Sequence, residues 1–171
     1  KDQLNLLAYR MHGTNGQTYQ TDGYEGKYCK LANDITYTHT TDWDDATSTE
    51  NNYVAIGGQN SPEGKIDYFK GHFDGNNMTI SGIRIYKDGS HSEDYNYQGL
   101  FGFISGGGTV HDLTLADARI TGWHDIGGIA GYNTGTITRC HVAADVAIHA
   151  VQSETDNHGG IAGYNYATVS H

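Results

Sequence analysis

The sequence predicts an all-β fold, a parallel β-helix (solenoid) with a short N-terminal capping helix. Three observations predict it. A glycine-rich block recurs as Gly99-Leu100-Phe101-Gly102-Phe103, Gly128-Ile129-Ala130-Gly131-Tyr132 and Gly160-Ile161-Ala162-Gly163-Tyr164. Its starts lie 29 and then 32 residues apart, and each copy turns into a β-branched pair: Thr109-Val110, Thr136-Ile137, Thr168-Val169. Such a period means stacked supersecondary units. The second observation is that short apolar segments follow one another between Gly and Asn turns with no helical pattern after residue 12. Those strands alone would also suit a sandwich or a barrel. The third observation decides for the solenoid. Stacked coils place equivalent residues about 4.8 Å apart, so repeated positions need repeated chemistry. Inward positions do stay apolar, at Leu113, Leu115 and Ile120, then at Cys140, Val142, Val146 and Ile148.

Each element has its own local reason. Leu4, Leu7, Ala8 and Met11 follow helical spacing, so residues 2–12 are expected as a helix with Asp2 as N-cap and Gly13-Thr14-Asn15-Gly16 as its stop. That helix would cover the open strand edge of the first coil. The N-terminal coils are placed at 24–96. Residues 24–37 read as strand, turn at Asn33-Asp34, and strand; 38–52 form a polar loop. Val54-Ala55-Ile56 is a short strand closed by Gly57-Gly58, followed by a loop at Ser61-Pro62-Glu63-Gly64. Tyr68 to Phe73 runs into a tight turn at Asp74-Gly75-Asn76-Asn77, with strands at Met78-Thr79-Ile80 and Ile83-Arg84-Ile85. A polar loop over 87–98 leads to the repeats of 97–171. Residues 1–171 therefore read as a single domain. Its third copy breaks off at Thr168-Val169-Ser170-His171, as expected of a piece of a longer, processed protein.

Composition excludes some functions. The chain has 24 Gly and 13 Tyr but 1 Pro, which suits tight turns between short strands rather than a disordered linker. A net charge of −10 repels phosphate backbones and anionic lipid, so nucleic acid is not an expected partner. No apolar run is long enough for a membrane-spanning helix. Cys29 and Cys140 are too few for a disulfide scaffold and read as free, buried thiols.

The three blocks, with Asn133-Thr134-Gly135-Thr136-Ile137 after the second, resemble the GLUG motif, a repeat of bacterial surface proteins. Tyr24-Glu25-Gly26-Lys27-Tyr28, Leu31 to Ile35 and Phe69 to Ile83 are similar to the segment that often precedes it. The resemblance implies a right-handed β-helix in an exported or cell-anchored, adhesin-like protein, extracellular or on the bacterial surface. It also admits an accessory domain of a secreted peptidase, because immunoglobulin A-cleaving peptidases carry the repeat outside their catalytic domain. In the first copy Ile104-Ser105-Gly106-Gly107-Gly108 replaces the Asn-Thr-Gly turn.

Catalysis is not expected. Gly-x-Gly-x-x-Gly and Gly-Lys-Ser/Thr are missing, and no nucleophile motif is present. A polysaccharide-active enzyme would need acids from different coils meeting on one face, whereas Asp44 and Asp45 are neighbours in one loop. No cofactor is expected. The acids Asp42, Asp44, Asp45 and Glu50 offer oxygens for calcium without the spacing of a dedicated loop, and a solvated loop is the favoured reading. The ten His, among them His124, His141, His149 and His158, read as surface residues. Asn133 and Asn165, stacked at one corner, are structural, as is the turn at Asp74 and Gly75. Exposed aromatics remain the lead for a binding function. Trp43, Tyr86, Tyr95, Tyr97 and Trp123 lie in or beside loops, where ring faces flanked by Asp and Asn suit sugars of glycans or host-surface proteins. Against this, Trp43 and Trp123 could fold back as lids, a reading the sequence slightly favours. The last coil would offer a site for end-to-end self-association.

Overall fold

A computed structural model describes residues 1–45, 47–59, 65–87, 96–151 and 157–170. Tyr95 and the Ser61-Pro62-Glu63-Gly64 loop lie outside the described residues, as does most of the 87–98 loop. The chain is mostly strand with one short helix, α1 (Asp2–His12). Strands follow in order: β1 (Tyr28–Lys30), β2 (Ile35–Thr36), β3 (His72–Ser81), β4 (Arg84–Tyr86), β5 (Phe101–Ile104), β6 (Thr109–Ala116), β7 (Arg119–Gly122) and β8 (Ile126–Gly127). The rest are β9 (Ala130–Asn133), β10 (Thr136–Thr138), β11 (His141–Val142), β12 (Ala147–Ala150), β13 (His158–Gly159), β14 (Ala162–Asn165) and β15 (Thr168–Ser170).

These strands form four sheets, with every ladder between them parallel and none closing into a barrel among the described residues. The largest runs β1-β3-β6-β10-β15, with β2 beside β3 and β11 beside β6. The others are β4-β7-β12, β5-β9-β14 and β8-β13. Pairing joins like to like across the repeat. Cys29, Phe73, Val110, Ile137 and Val169 share one register, as do Ile85, Ile120 and Ile148. Apart from exposed Val169, these rows point inward, and with Leu4, Leu7, Met11, Leu31 and Ile35 they make one continuous core. Burying each such large side chain stabilises by about 1.5–3 kcal/mol.

Several local expectations need correction. Lys1 occupies the N-cap of α1 and makes no side-chain cap bond; Asp2 sits in the first turn, where its charge suits the helix dipole. Gly13 ends the helix in the left-handed region at φ 62°. Among the described residues, Val54 to Ile56 makes a single bridge, from Ile56 to Phe101. Asp74 to Asn77 is not a chain reversal. It is a kink inside β3, where the register to β6 shifts between Asp74 and Met78 and both Asn76 and Asn77 have positive φ. Gly75 is required by close approach instead: a Cβ there would meet the Asp112 carbonyl oxygen at 2.4 Å and Leu113 Cβ at 2.6 Å. Cys29 and Cys140 are free but only half-buried. The eleven-residue α1 is the longest described helix, and no described helix is long and apolar enough to cross a membrane.

Candidate binding groove

The loop that follows β2 is organised by a cation supplied from β4. Arg84 is buried, and its guanidinium donates four hydrogen bonds to backbone carbonyls of that loop. Nη1 reaches Asp42 at 2.8 Å and Trp43 at 3.0 Å, while Nη2 reaches Asp45 at 2.7 Å and Ser48 at 3.2 Å. A planar fork of donors can satisfy divergent carbonyls in this way, and their dipoles offset the cost of burying the charge. The chain then returns along β4. The Asn52 side chain accepts from the Arg84 backbone N–H at 2.7 Å, and Asn51 accepts from Tyr86 at 2.6 Å.

This anchoring pins Trp43. Only 8% of it is exposed. Its ring stacks on His39 with centroids 3.8 Å apart, and the Arg119 guanidinium lies 5.0 Å from the ring centroid. Between this loop and the outward-facing residues of β7 and β12 runs a groove of about 310 Å³, lined by Trp43, Asp44, Asp45, Arg119, Thr121 and His149. Thr121 and His149 are paired in register, so the floor is built by successive repeats and the wall by the loop. The volume is at the small end of those that take discrete ligands.

The acids do not converge on a common point. The Asp45 carboxylate accepts from Thr47 Oγ1 at 2.7 Å and Thr47 N–H at 2.8 Å, bonds that lower its pKa. Glu50 accepts from the Thr41 hydroxyl at 3.0 Å and its N–H at 3.1 Å. Asp42 contributes its carbonyl to Arg84. The positive charge at the centre of this loop is therefore Arg84. Among the described residues, three metal-ligand side chains meet only at Asp74, His111 and Asp112, with their atoms within 4.8 Å of one another. Both carboxylates there already have cations: Lys30 lies 2.8 Å from Asp74, and Arg139 pairs through two nitrogens with Asp112. Arg139 first, then His111, holds the Asp112 carboxyl well below the usual carboxylate range. This is a charge-balanced ladder along the outer face of the largest sheet.

The aromatic candidates are dispersed. Tyr86 is half-buried in β4, and Trp123 is half-buried with its edge toward His124, 5.8 Å between centroids. Tyr97 packs edge-on against Phe103 and Tyr132, at 5.6 and 5.5 Å. It joins a ladder that the sequence reading missed. Phe103, Tyr132 and Tyr164 pair in register on β5, β9 and β14 with rings stacked 4.6 and 4.8 Å apart. Its signal was present, because the fifth position of every block is aromatic. One residue further on, Asn133 donates from Nδ2 to Asn165 Oδ1 at 2.8 Å, and its own Oδ1 accepts from Gly135 N–H at 3.1 Å. Exposed Tyr28 and Tyr166 were also missed, as were the roles of His39, Arg84 and Arg119.

Comparison with known proteins finds a relative and a motif. Halomucin of Haloquadratum walsbyi is 30% identical over 143 residues, covering 80% of this chain and 2% of that protein. The chain thus spans about 2% of the length of the curated relative it matches. No solved structure matches it. The GLUG motif matches residues 124–147, which hold the second block, Asn133 of the asparagine ladder, and β10. The chain is a repeat protein that carries the GLUG motif.

Proposed function

We propose that the chain is part of a right-handed parallel β-helix in an adhesin-like, non-catalytic protein displayed outside the cell. Its loop-walled groove would contact glycans of a host or polymer surface. The observation that carries this reading is the groove itself, whose floor is assembled from the same register position of two repeats. A stiff stack of parallel ladders needs no chemistry to work: it holds Arg119, Thr121 and His149 at fixed spacing beside the pinned loop. Donors and acceptors alternate there, from Arg119 and Thr121 to Asp44 and Asp45, which suits sugar hydroxyls. The GLUG motif and the net charge of −10 support an extracellular setting.

The test is binding of the chain to an array of glycans and mucins. Selective binding that Arg119→Ala and His149→Ala weaken at least tenfold is expected. EDTA should leave it intact, because Arg84 supplies the charge that orders the loop. A folded chain that binds nothing on the array would refute the groove and leave a spacer.

A further inference from the structure

We propose that His12 and Asp67 form a buried, charged latch that fastens helix α1 to the strand stack. His12 ends α1 and is 3% exposed; Asp67, 2% exposed, lies 55 residues away in sequence. Nδ1 of His12 is 2.7 Å from Asp67 Oδ2, and Nε2 is 2.9 Å from the carbonyl oxygen of Ala55. A carbonyl oxygen can only accept. An ionised carboxylate can only accept as well, so beside ionised Asp67 both ring nitrogens donate. A neutral imidazole has one N–H and would aim a lone pair at one of these oxygens. The imidazolium satisfies both. Tyr19 completes the set, its hydroxyl donating to Asp67 Oδ1 at 2.7 Å.

Two further features favour the charged form. His12 stands in the last turn of α1, where the helix dipole favours a cation. The acceptor is also held rigidly, since Asp67 and Gly58 exchange backbone hydrogen bonds of 2.7 and 2.8 Å. The titratable groups facing His12 are Asp67 and, beyond it, Tyr19; the nearby cation Arg10 is engaged with the Tyr24 phenol. The latch matters because it fastens the C-terminal end of α1, while Leu4 and Leu7 near its start border a cavity. That cavity, of about 290 Å³, lies between the helix and the first strands, lined among others by Leu4, Leu7, Leu31, Ile35 and Phe73. Without the Asp67 carboxylate a buried His12 N–H loses its acceptor, and α1 loses its hold. The released helix would bare that apolar face.

Nitrogen-15 NMR of the histidine rings in the intact chain tests the charge state. Protons on both nitrogens of His12 at neutral pH are expected. A neutral-imidazole signal there would overturn the proposal. Amide exchange tests the consequence. In Asp67→Asn, protection of residues 4–11 should fall at least tenfold while β9 and β10 keep theirs; protection within twofold of the parent refutes the latch. Should that variant fail to fold, His12→Gln decides: exchange of α1 must rise relative to β9 and β10. Parallel behaviour of the two regions would sink the idea.

Discussion

Replacing Arg84 with Met keeps an unbranched, flexible stem and removes all five donors of the guanidinium. Four carbonyls then lose their partner, but unequally. Those of Asp42 and Asp45 are partly open to water and can rehydrate, whereas the bonds to Trp43 and Ser48 are buried. Each buried acceptor left unsatisfied costs about 1–3 kcal/mol, so the loop should lose about 2–6 kcal/mol of its local stability. That exceeds what an exposed loop can draw from its remaining turns, and the loop should open without unfolding the stack. The assay is tryptophan emission in a Trp123→Phe background, which leaves Trp43 as the sole indole. A red shift, together with faster amide exchange at residues 41–45 and 47–50 and unchanged exchange in β9, is expected. Arg84→Lys should behave similarly, because one ammonium cannot span four divergent carbonyls. An unshifted Trp43 emission with unchanged loop exchange would show that Arg84 does not hold the loop, and the groove's wall would need another explanation.

Glycines at different positions of the repeat block should respond differently to one methyl group. A Cβ on Gly131 would lie 2.5 Å from both the Asp125 carbonyl oxygen and the Tyr97 carbonyl carbon, so Gly131→Ala should cost about 1–3 kcal/mol or more in urea unfolding. Gly160 has nothing within 4 Å, and Gly160→Ala should stay within about 0.5 kcal/mol; equal effects would contradict the packing. Asn133→Ala removes the acceptor of Gly135 N–H and the donor to Asn165, at about 1–3 kcal/mol. By calorimetry Tm should fall by roughly 2–4 °C per kcal/mol, and an unchanged Tm would deny the ladder a role in stability. Asp112 links stability to pH. Its carboxyl is depressed by Arg139 and then His111, so its contribution is present above the unfolded Asp pKa of about 3.9 and is lost as pH falls below it. Between about pH 5 and pH 3 the unfolding midpoint should drop further in the parent than in Asp112→Asn. Added salt should shrink the difference, because the Arg139 side chain is 57% exposed; parallel curves would mean the pair adds nothing.

How much of this could be read in advance depended on whether a residue's neighbour was its own repeat. Val110 stands beside Ile137, and Tyr132 beside Tyr164, because equivalent positions stack. A periodic sequence announces such contacts. Leu4, Leu7 and Met11 were legible for a similar reason, helical spacing. The N-terminal half lacks the period, and the errors gather there. Val54 to Ile56 has strand composition yet forms one bridge, because Gly57 and Gly58 turn the chain away at φ 74° and 86°. Asp74-Gly75-Asn76-Asn77 has turn composition, but both flanks pair with β6 and so hold the segment in one strand. Parallel pairing overrode local preference.

The candidate groove shows the same division at the scale of a site. Thr121 and His149 follow from the repeat, since their strands stack. The loop wall does not, because Arg84 meets carbonyls 36 to 42 residues away through a contact made once, with no second copy to reveal it. The four acids drew attention to calcium because side-chain oxygens are visible in a sequence. The oxygens that organise the loop are backbone carbonyls, which every residue carries and no composition exposes. A search for cation sites in irregular loops should therefore ask first which buried Arg could occupy the centre. In this chain that question separates two outcomes of one experiment: chelation should leave Trp43 emission unchanged, and removal of the Arg84 guanidinium should shift it. Were chelation alone to shift it, the acids would have to close around a metal, and the four carbonyl bonds to Arg84 would not suffice to order the loop.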